Sequence, residues 1–230
     1  MMKRLISLSF LGAFGVAFLA APSGASASLL SNGGFETPDA SGGDVQNAPG
    51  APWIGFNQPT LRFTTASVSR TGSQSLKMFG PFDFIGGGVG AVQAVPATPG
   101  GIYVGEIWGR NDSTDPIQGN NFAVYKLEFL DAGFNFVGGS PVAGFNVFES
   151  NPLNASTPQN QWSLLGVGGQ APAGTAFVQA VIVHVQLGDG AGGVLGGAVF
   201  FDDASVTLIP EPATLGLLAT GVLLLVRRRR

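Results

Sequence analysis

The sequence predicts an all-β fold, a jelly-roll β-sandwich, with a signal peptide before it and a transmembrane helix behind it. Three observations predict this. Short segments rich in Val, Ile, Phe, Tyr and Thr recur through residues 28–208. Gly/Pro turns part them at intervals of roughly ten or twenty residues, the spacing of a sandwich or jelly roll. No stretch of ten or more residues carries a helical period, except at the two ends.

The elements follow in chain order. Lys3 and Arg4 form a basic head, Leu5 to Ala21 is apolar or small, and Ala25-Ser26-Ala27 is a small-x-small site. This is the layout of a secretory signal peptide cut after Ala27. The body, residues 28–208, then offers strands at 61–69, 75–79, 90–95, 102–110, 122–130, 134–139, 161–167, 176–187 and 198–208. In "FAVYKLEFL" two alternating sets stand out: Phe122, Val124, Lys126, Glu128 and Leu130 against Ala123, Tyr125, Leu127 and Phe129. Turns at Thr71-Gly72-Ser73 and Pro99-Gly100-Gly101 separate neighbours. Residues 209–230 form the last segment. Pro210 and Pro212 hold a Pro-Glu-Pro triplet extended, and Ala213 to Val226 is an uncharged run. As a helix the run spans about 21 Å at ~1.5 Å per residue, short of the ~30 Å hydrocarbon core. Arg227, Arg228, Arg229 and Arg230 act as a cytoplasmic stop and place the body outside the inner membrane.

Composition bounds the chemistry. Gly and Pro make up 36 and 15 of the 230 residues, and the 45% apolar content suffices for one core of ordinary size. With no cysteine there is no disulfide and no thiolate metal site. The two ends hold six of the eleven basic residues. The body keeps Arg62, Arg70, Lys77, Arg110 and Lys126 against thirteen acidic residues, five minus thirteen, or −8. So acidic a body offers no stripe for phosphates, and nucleic acid is excluded as a partner. Enzyme signatures are absent too. There is no Gly-x-Ser-x-Gly elbow, and the sole histidine, His184, sits inside the strand-like "VIVHVQ". "GDGAGG" (188–193) precedes a strand, so it gives a phosphate no helix N-terminus. A glycosidase's carboxylate pair stays open on sequence grounds.

The triplet Pro210-Glu211-Pro212, the apolar run and the terminal arginines, in that order, resemble the PEP-CTERM sorting signal. The resemblance covers about the last twenty residues. It implies export by a Gram-negative bacterium that makes extracellular polysaccharide, an inner-membrane intermediate held by the C-terminal helix, and processing of the triplet by an exosortase-like enzyme.

The body resembles a second family. "NGGFE" near its start, then Trp53, "SRTGSQSLKM", "VQAVPATPGGIYVGEIWGR", "YKLEFLDAGF" and "VFFDDASV" are similar to the galactose-binding-like jelly roll of carbohydrate-binding modules. The stretch Gly138 to Gln161 departs from that pattern. The resemblance implies a structural Ca2+ where the first and last strands meet, with carboxylates from Glu36, Asp202 and Asp203 and the carbonyl of Lys77 as ligands. The alternative is a solvated acidic pair at a strand end.

Stacking a sugar needs exposed flat rings and a few hydrogen-bonding groups. Trp53 and Trp108, with Arg110 beside the latter, are the candidates for ligand binding; Trp162 and Tyr103 are expected in the core. The polar stretch 111–121 reads as a solvated loop. Together these readings give an exported, non-catalytic sandwich, a structural or adhesive component of the cell surface or extracellular polysaccharide matrix. The alternatives are a glycan-binding module and, more distantly, a secreted glycoside hydrolase.

Overall fold

The computed structural model describes residues 27–82, 87–187, 193 and 195–209. The signal-peptide segment, most of the Gly-rich stretch 188–193 and the tail from Pro210 to Arg230 lie outside the described residues. Among the described residues no helix is long and apolar enough to cross a membrane.

Among the described residues twelve strands are present, joined by loops and one 3-10 turn at Pro59–Leu61. They are β1 (Val45–Gln46), β2 (Ile54–Phe56), β3 (Arg62–Thr65), β4 (Ser75–Phe79), β5 (Gly87–Pro96) and β6 (Ile102–Asn111). Then come β7 (Phe122–Leu130), β8 (Phe136–Gly138), β9 (Leu153–Asn154), β10 (Trp162–Gln170), β11 (Phe177–Gln186) and β12 (Ala198–Ile209). All nine expected strands form. The three that sequence reading does not anticipate, β1, β2 and β9, are two or three residues long, too short to carry an alternation.

The strands pair antiparallel in two sheets. The first runs β1-β3-β4-β12-β6-β10, and the second β2-β5-β11-β7-β8, with β9 also on β7. The fold is thus a jelly-roll-like sandwich. Apart from β3-β4 and β7-β8, neighbours in sequence sit apart in the sheets, so most of the register comes from long-range pairing, with Phe201 opposite Gly109 and Ile182 opposite both Ala91 and Tyr125.

Alternation sets the core. Leu76, Met78, Tyr103, Ile107, Val167 and Phe201 from the first sheet meet Ala91, Tyr125, Leu127, Phe129, Val178 and Ile182 from the second. His184 is buried in the same stripe of β11, and neither ring nitrogen makes a hydrogen bond of good geometry. Burial therefore pushes its pKa down to about 4.

Polar staples tie the irregular chain start to the sheets. The Arg62 side chain is buried; its guanidinium donates to the carbonyls of Ala48, Phe56 and Asn57. Gln74 accepts from the Ala40 N–H and donates to the carbonyls of Phe35 and Pro38. The stretch 111–121, expected to be solvated, is pinned as well. Asn111, Ile117 and Asn121 are buried, and Asn121 donates to the Leu195 carbonyl while accepting from the Leu187 N–H. Residues 138–161 wrap the β7 edge, where Phe148 accepts from the Leu127 N–H.

Candidate functional site

Of the residues singled out in sequence for a metal or a ligand, Lys77, Trp108 and Arg110 lie on the outer face of the first sheet, and the sorting residues Pro210 to Pro212 and Arg227 to Arg230 lie outside the described residues. Alternation turns Phe63, Lys77, Phe200, Arg110 and Trp162 away from the core. Their registers line up: Phe63 opposite Lys77, Lys77 opposite Phe200, Phe200 opposite Arg110, and Arg110 opposite Trp162. The result is one row across five strands, aromatic and cationic side chains alternating. At ~4.8 Å per strand the row is about 19 Å long. Phe200 is buried in its middle at 4% exposure, and the other four are half-buried. The Lys77 ammonium lies 4.8 Å from the Phe79 ring centroid and 5.5 Å from that of Phe200. Phe63 meets Phe79 edge-on at 5.9 Å.

The next row places Trp108 between Asp202 and Leu164, and Leu164 is 47% exposed. The Arg70 guanidinium covers the indole at 3.9 Å from its centroid and donates to Asp203 at 2.6 Å. Arg110 is held by Asp112, which accepts from Nε at 3.0 Å and Nη2 at 2.8 Å. Burial works against the Asp112 charge, but the Thr114 N–H and hydroxyl and the Arg110 guanidinium outweigh it, so the pKa lies below the usual carboxylate range.

Trp53 is a correction. It is 4% exposed, sits in the core 5.7 Å from Phe35, and donates its Nε1–H to the Asn32 carbonyl. No face remains for a sugar. A large ring next to a flexible loop reads as exposed in sequence, but here the loop folds over it. Tyr103 is core, as expected; Trp162 is half-buried at the end of the outer row.

Glu36, Asp202 and Asp203 do come together, around the turn Arg70–Gln74. Asp202 Oδ2 accepts from the Arg70 and Thr71 N–H groups, and its Oδ1 from the Asp203 N–H. Glu36 accepts from the Ser73 N–H and hydroxyl and from the Gln74 N–H. Asp203 takes Arg70 and the Thr71 hydroxyl. Five of the six carboxylate oxygens thus serve donors of the turn, Asp202 Oδ1 serves the Asp203 N–H, and a guanidinium stands beside them. These donors and the Arg70 guanidinium compete with a calcium ion for the same oxygens, which disfavours a calcium cage here. Among the described residues no group of three or more His, Cys, Asp or Glu is arranged to hold a metal. Lys77 is three residues beyond the turn, paired with Phe63 and Phe200. Asp202 is fully buried; burial, with the Asp203 charge adding to it, pushes its pKa up to about 6 against its N–H donors.

Sequence reasoning missed two hollows on the second sheet. One, of about 500 Å3, is lined by Asn120, Phe122, Glu149, Asn154 and Ser156. The other, of about 300 Å3, lies among Phe56, Asn57, Lys126, Glu128, Val181 and Val183. It also missed Phe134, 60% exposed and stacked on Phe177 at 4.7 Å. All draw on residues far apart in the chain, which no local pattern marks.

Residues 208–230 match the family described as the PEP-CTERM protein-sorting motif. No curated protein matches the chain. Among solved structures the chain is similar to the Stig cyclase Fisc from Fischerella sp. TAU, with 14% identity and a TM-score of 0.51 over 81% of this chain and 100% of the cyclase. It is also similar to the enzymatically active domain of tailspike protein 4 of bacteriophage CBA120, with 13% identity and a TM-score of 0.50 over 79% of this chain. The match spans 21% of the tailspike chain, about a fifth of its length. TmCBM61, determined in complex with beta-1,4-galactotriose, aligns at 14% identity and a TM-score of 0.49 over 80% of this chain and 100% of the module. What the cyclase and the tailspike domain share with the chain is the fold alone, and residues 208–230 carry the protein-sorting motif.

Proposed function

We propose that the chain is an exported, surface-sorted, non-catalytic sandwich that holds polysaccharide of the cell surface or extracellular matrix on the outer face of its first sheet. One observation carries this reading: the row Phe63, Lys77, Phe200, Arg110 and Trp162 across five strands. Pyranose rings present C–H faces that stack on aromatic rings, and their hydroxyls accept from cationic donors. A shallow row of both suits an extended chain better than a small molecule, which favours an enclosing cavity. The sorting motif supports the placement. It fits an inner-membrane intermediate and handling of Pro210-Glu211-Pro212 by an exosortase-like enzyme.

A purely structural or adhesive role is the second reading, favoured by the burial of Trp53 and the Arg70 cover on Trp108. Affinity electrophoresis of the purified protein in gels cast with different polysaccharides separates the two. Glycan binding predicts retardation by at least one polymer, weakened by Trp162→Ala with little change in melting temperature. Trp53→Ala should instead cost about 3–5 kcal/mol of stability, as a core ring does. No retardation in any gel supports the structural reading, and release of reducing sugar, abolished by one carboxylate substitution, overturns both.

A further inference from the structure

The cationic side chains of the body can be accounted for one by one. Arg62 is spent on backbone carbonyls. Arg70 pairs with Asp203, Arg110 with Asp112, and Lys126 with Glu149 at 2.9 Å. Lys77 alone has no carboxylate or carbonyl partner among the described residues; its ammonium meets only the rings of Phe79 and Phe200. It lies at the centre of the aromatic part of the row, between Phe63 and Phe200. An ammonium half-removed from water beside apolar rings is costly unless something offsets the lost hydration. The ring faces supply part of that. On a body that carries thirteen acidic residues against five basic ones, a lone unpaired cation is not surplus charge. The carboxylates on the same face do not compete for it. Asp203 and Asp112 are held by their arginines, and Asp202 is buried under backbone donors. Glu106 lies two residues along β6 from Trp108, in the row opposite Gly166 and Ser205.

We infer that Lys77 is the receptor for an anionic substituent of the bound polysaccharide, a carboxylate or sulfate ester on a sugar ring that stacks on Phe63 and Phe79. The inference rests on the glycan-binding reading above and narrows its ligand to acidic polymers. A carboxylate or sulfate seated there completes a charge-assisted contact that neutral sugars cannot make.

Affinity electrophoresis of the full-length protein in polygalacturonate, dextran sulfate and neutral galactan gels tests it. The expected result is about tenfold tighter retention by at least one acidic polymer than by galactan, falling as salt rises. The two acidic gels tell carboxylate from sulfate. Lys77→Met keeps the aliphatic stem and should abolish the excess, whereas Lys77→Arg keeps the charge and should retain it. Melting temperatures of both variants check folding. Galactan retention equal to that of the acidic polymers, or an unchanged Lys77→Met, overturns the inference while leaving glycan binding intact. Absence of retention in every gel removes both.

Discussion

The guanidinium carbon of Arg70 lies 3.9 Å from the centroid of the Trp108 indole, so a cation covers one of the tryptophans on the outer face. The same group donates to Asp203 at 2.6 Å, with both side chains about a third exposed or less. At such exposure a cation–π contact contributes about 0.5–1 kcal/mol and the ion pair adds a similar or smaller amount. Arg70→Ala should therefore cost about 1 kcal/mol, a fall of roughly 2–4 °C in melting temperature. The turn itself persists, because the Arg70 and Thr71 N–H groups still reach Asp202. Its signature is optical: Trp108 emission should shift red and become easier to quench with acrylamide. Unchanged fluorescence in Arg70→Ala contradicts the cover.

Asp202 and His184 are both fully buried and titrate in opposite senses. Burial, aided by the Asp203 charge, lifts Asp202 from its ordinary 3.8 to about 6, so its contribution to stability is full below pH 3.8 and is lost as pH rises through 6. Burial lowers His184 from 6.5 to about 4, so its contribution is full above pH 6.5 and is lost as pH falls through 4. Each shift of about two units corresponds to a few kcal/mol, and the two slopes oppose each other between pH 4 and 6. The native protein should show a nearly flat melting temperature across that window. His184→Met removes one slope and leaves a protein that gains stability on acidification from pH 6.5 to 4. Parallel melting profiles for His184→Met and the native protein contradict this pairing.

Most of the fold was legible because strands of nine or ten residues, such as β6, β7 and β11, advertise a period of two. The candidate face was legible only in pieces. Trp108, Arg110, Lys77, Asp202 and Asp203 were each marked, but as separate metal and sugar sites. Their common surface depends on β12 lying between β4 and β6, a crossover that local pattern does not encode. Phe63 and Phe200 went unmarked, and Trp162 was expected in the core, for the same reason: a ring in a strand gives no sign of which face it takes until the register is known. Trp53 failed in the other direction, since the cover over it is made by the irregular segment around Asn32 and Phe35.

That segment depends on one small residue. A Cβ on Gly33 would stand 2.1 Å from the Ala204 carbonyl oxygen, while the Ala204 N–H donates to the Gly33 carbonyl at 2.8 Å. The opening chain thus lies against the β12 bulge, backbone to backbone, with Asn32 and Phe35 at positive φ on either side. Gly33→Ala must push the segment away and pull Phe35 from the core, at about 3 kcal/mol or more. Gly34→Ala is the control: its Cβ would find its nearest neighbours at 3.9 Å, and stability should stay within about 1 kcal/mol of the native value. Equal melting temperatures for the two variants contradict the close approach.

Calcium offers the sharpest test of the acidic cluster. Glu36, Asp202 and Asp203 meet where a calcium ion would tie the chain start to the last strand, yet every carboxylate oxygen there already accepts a hydrogen bond, five of the six from the Arg70–Gln74 turn and Asp202 Oδ1 from the Asp203 N–H. An ion entering would have to displace those donors and sit beside the Arg70 guanidinium, with the Asp202 pKa already raised by burial. The melting temperature of the native protein should therefore not respond to millimolar calcium or to chelator. Specific binding at a hundred times the Kd would add about 2.7 kcal/mol, a shift of several degrees that calorimetry resolves easily. Such a shift in the native protein overturns the assignment of these carboxylates to the turn. Arg70→Ala sharpens the comparison, because it frees one edge of Asp203 and removes the opposing charge. A calcium response in that variant alone identifies the guanidinium as the group that takes an ion's place between the two chain ends.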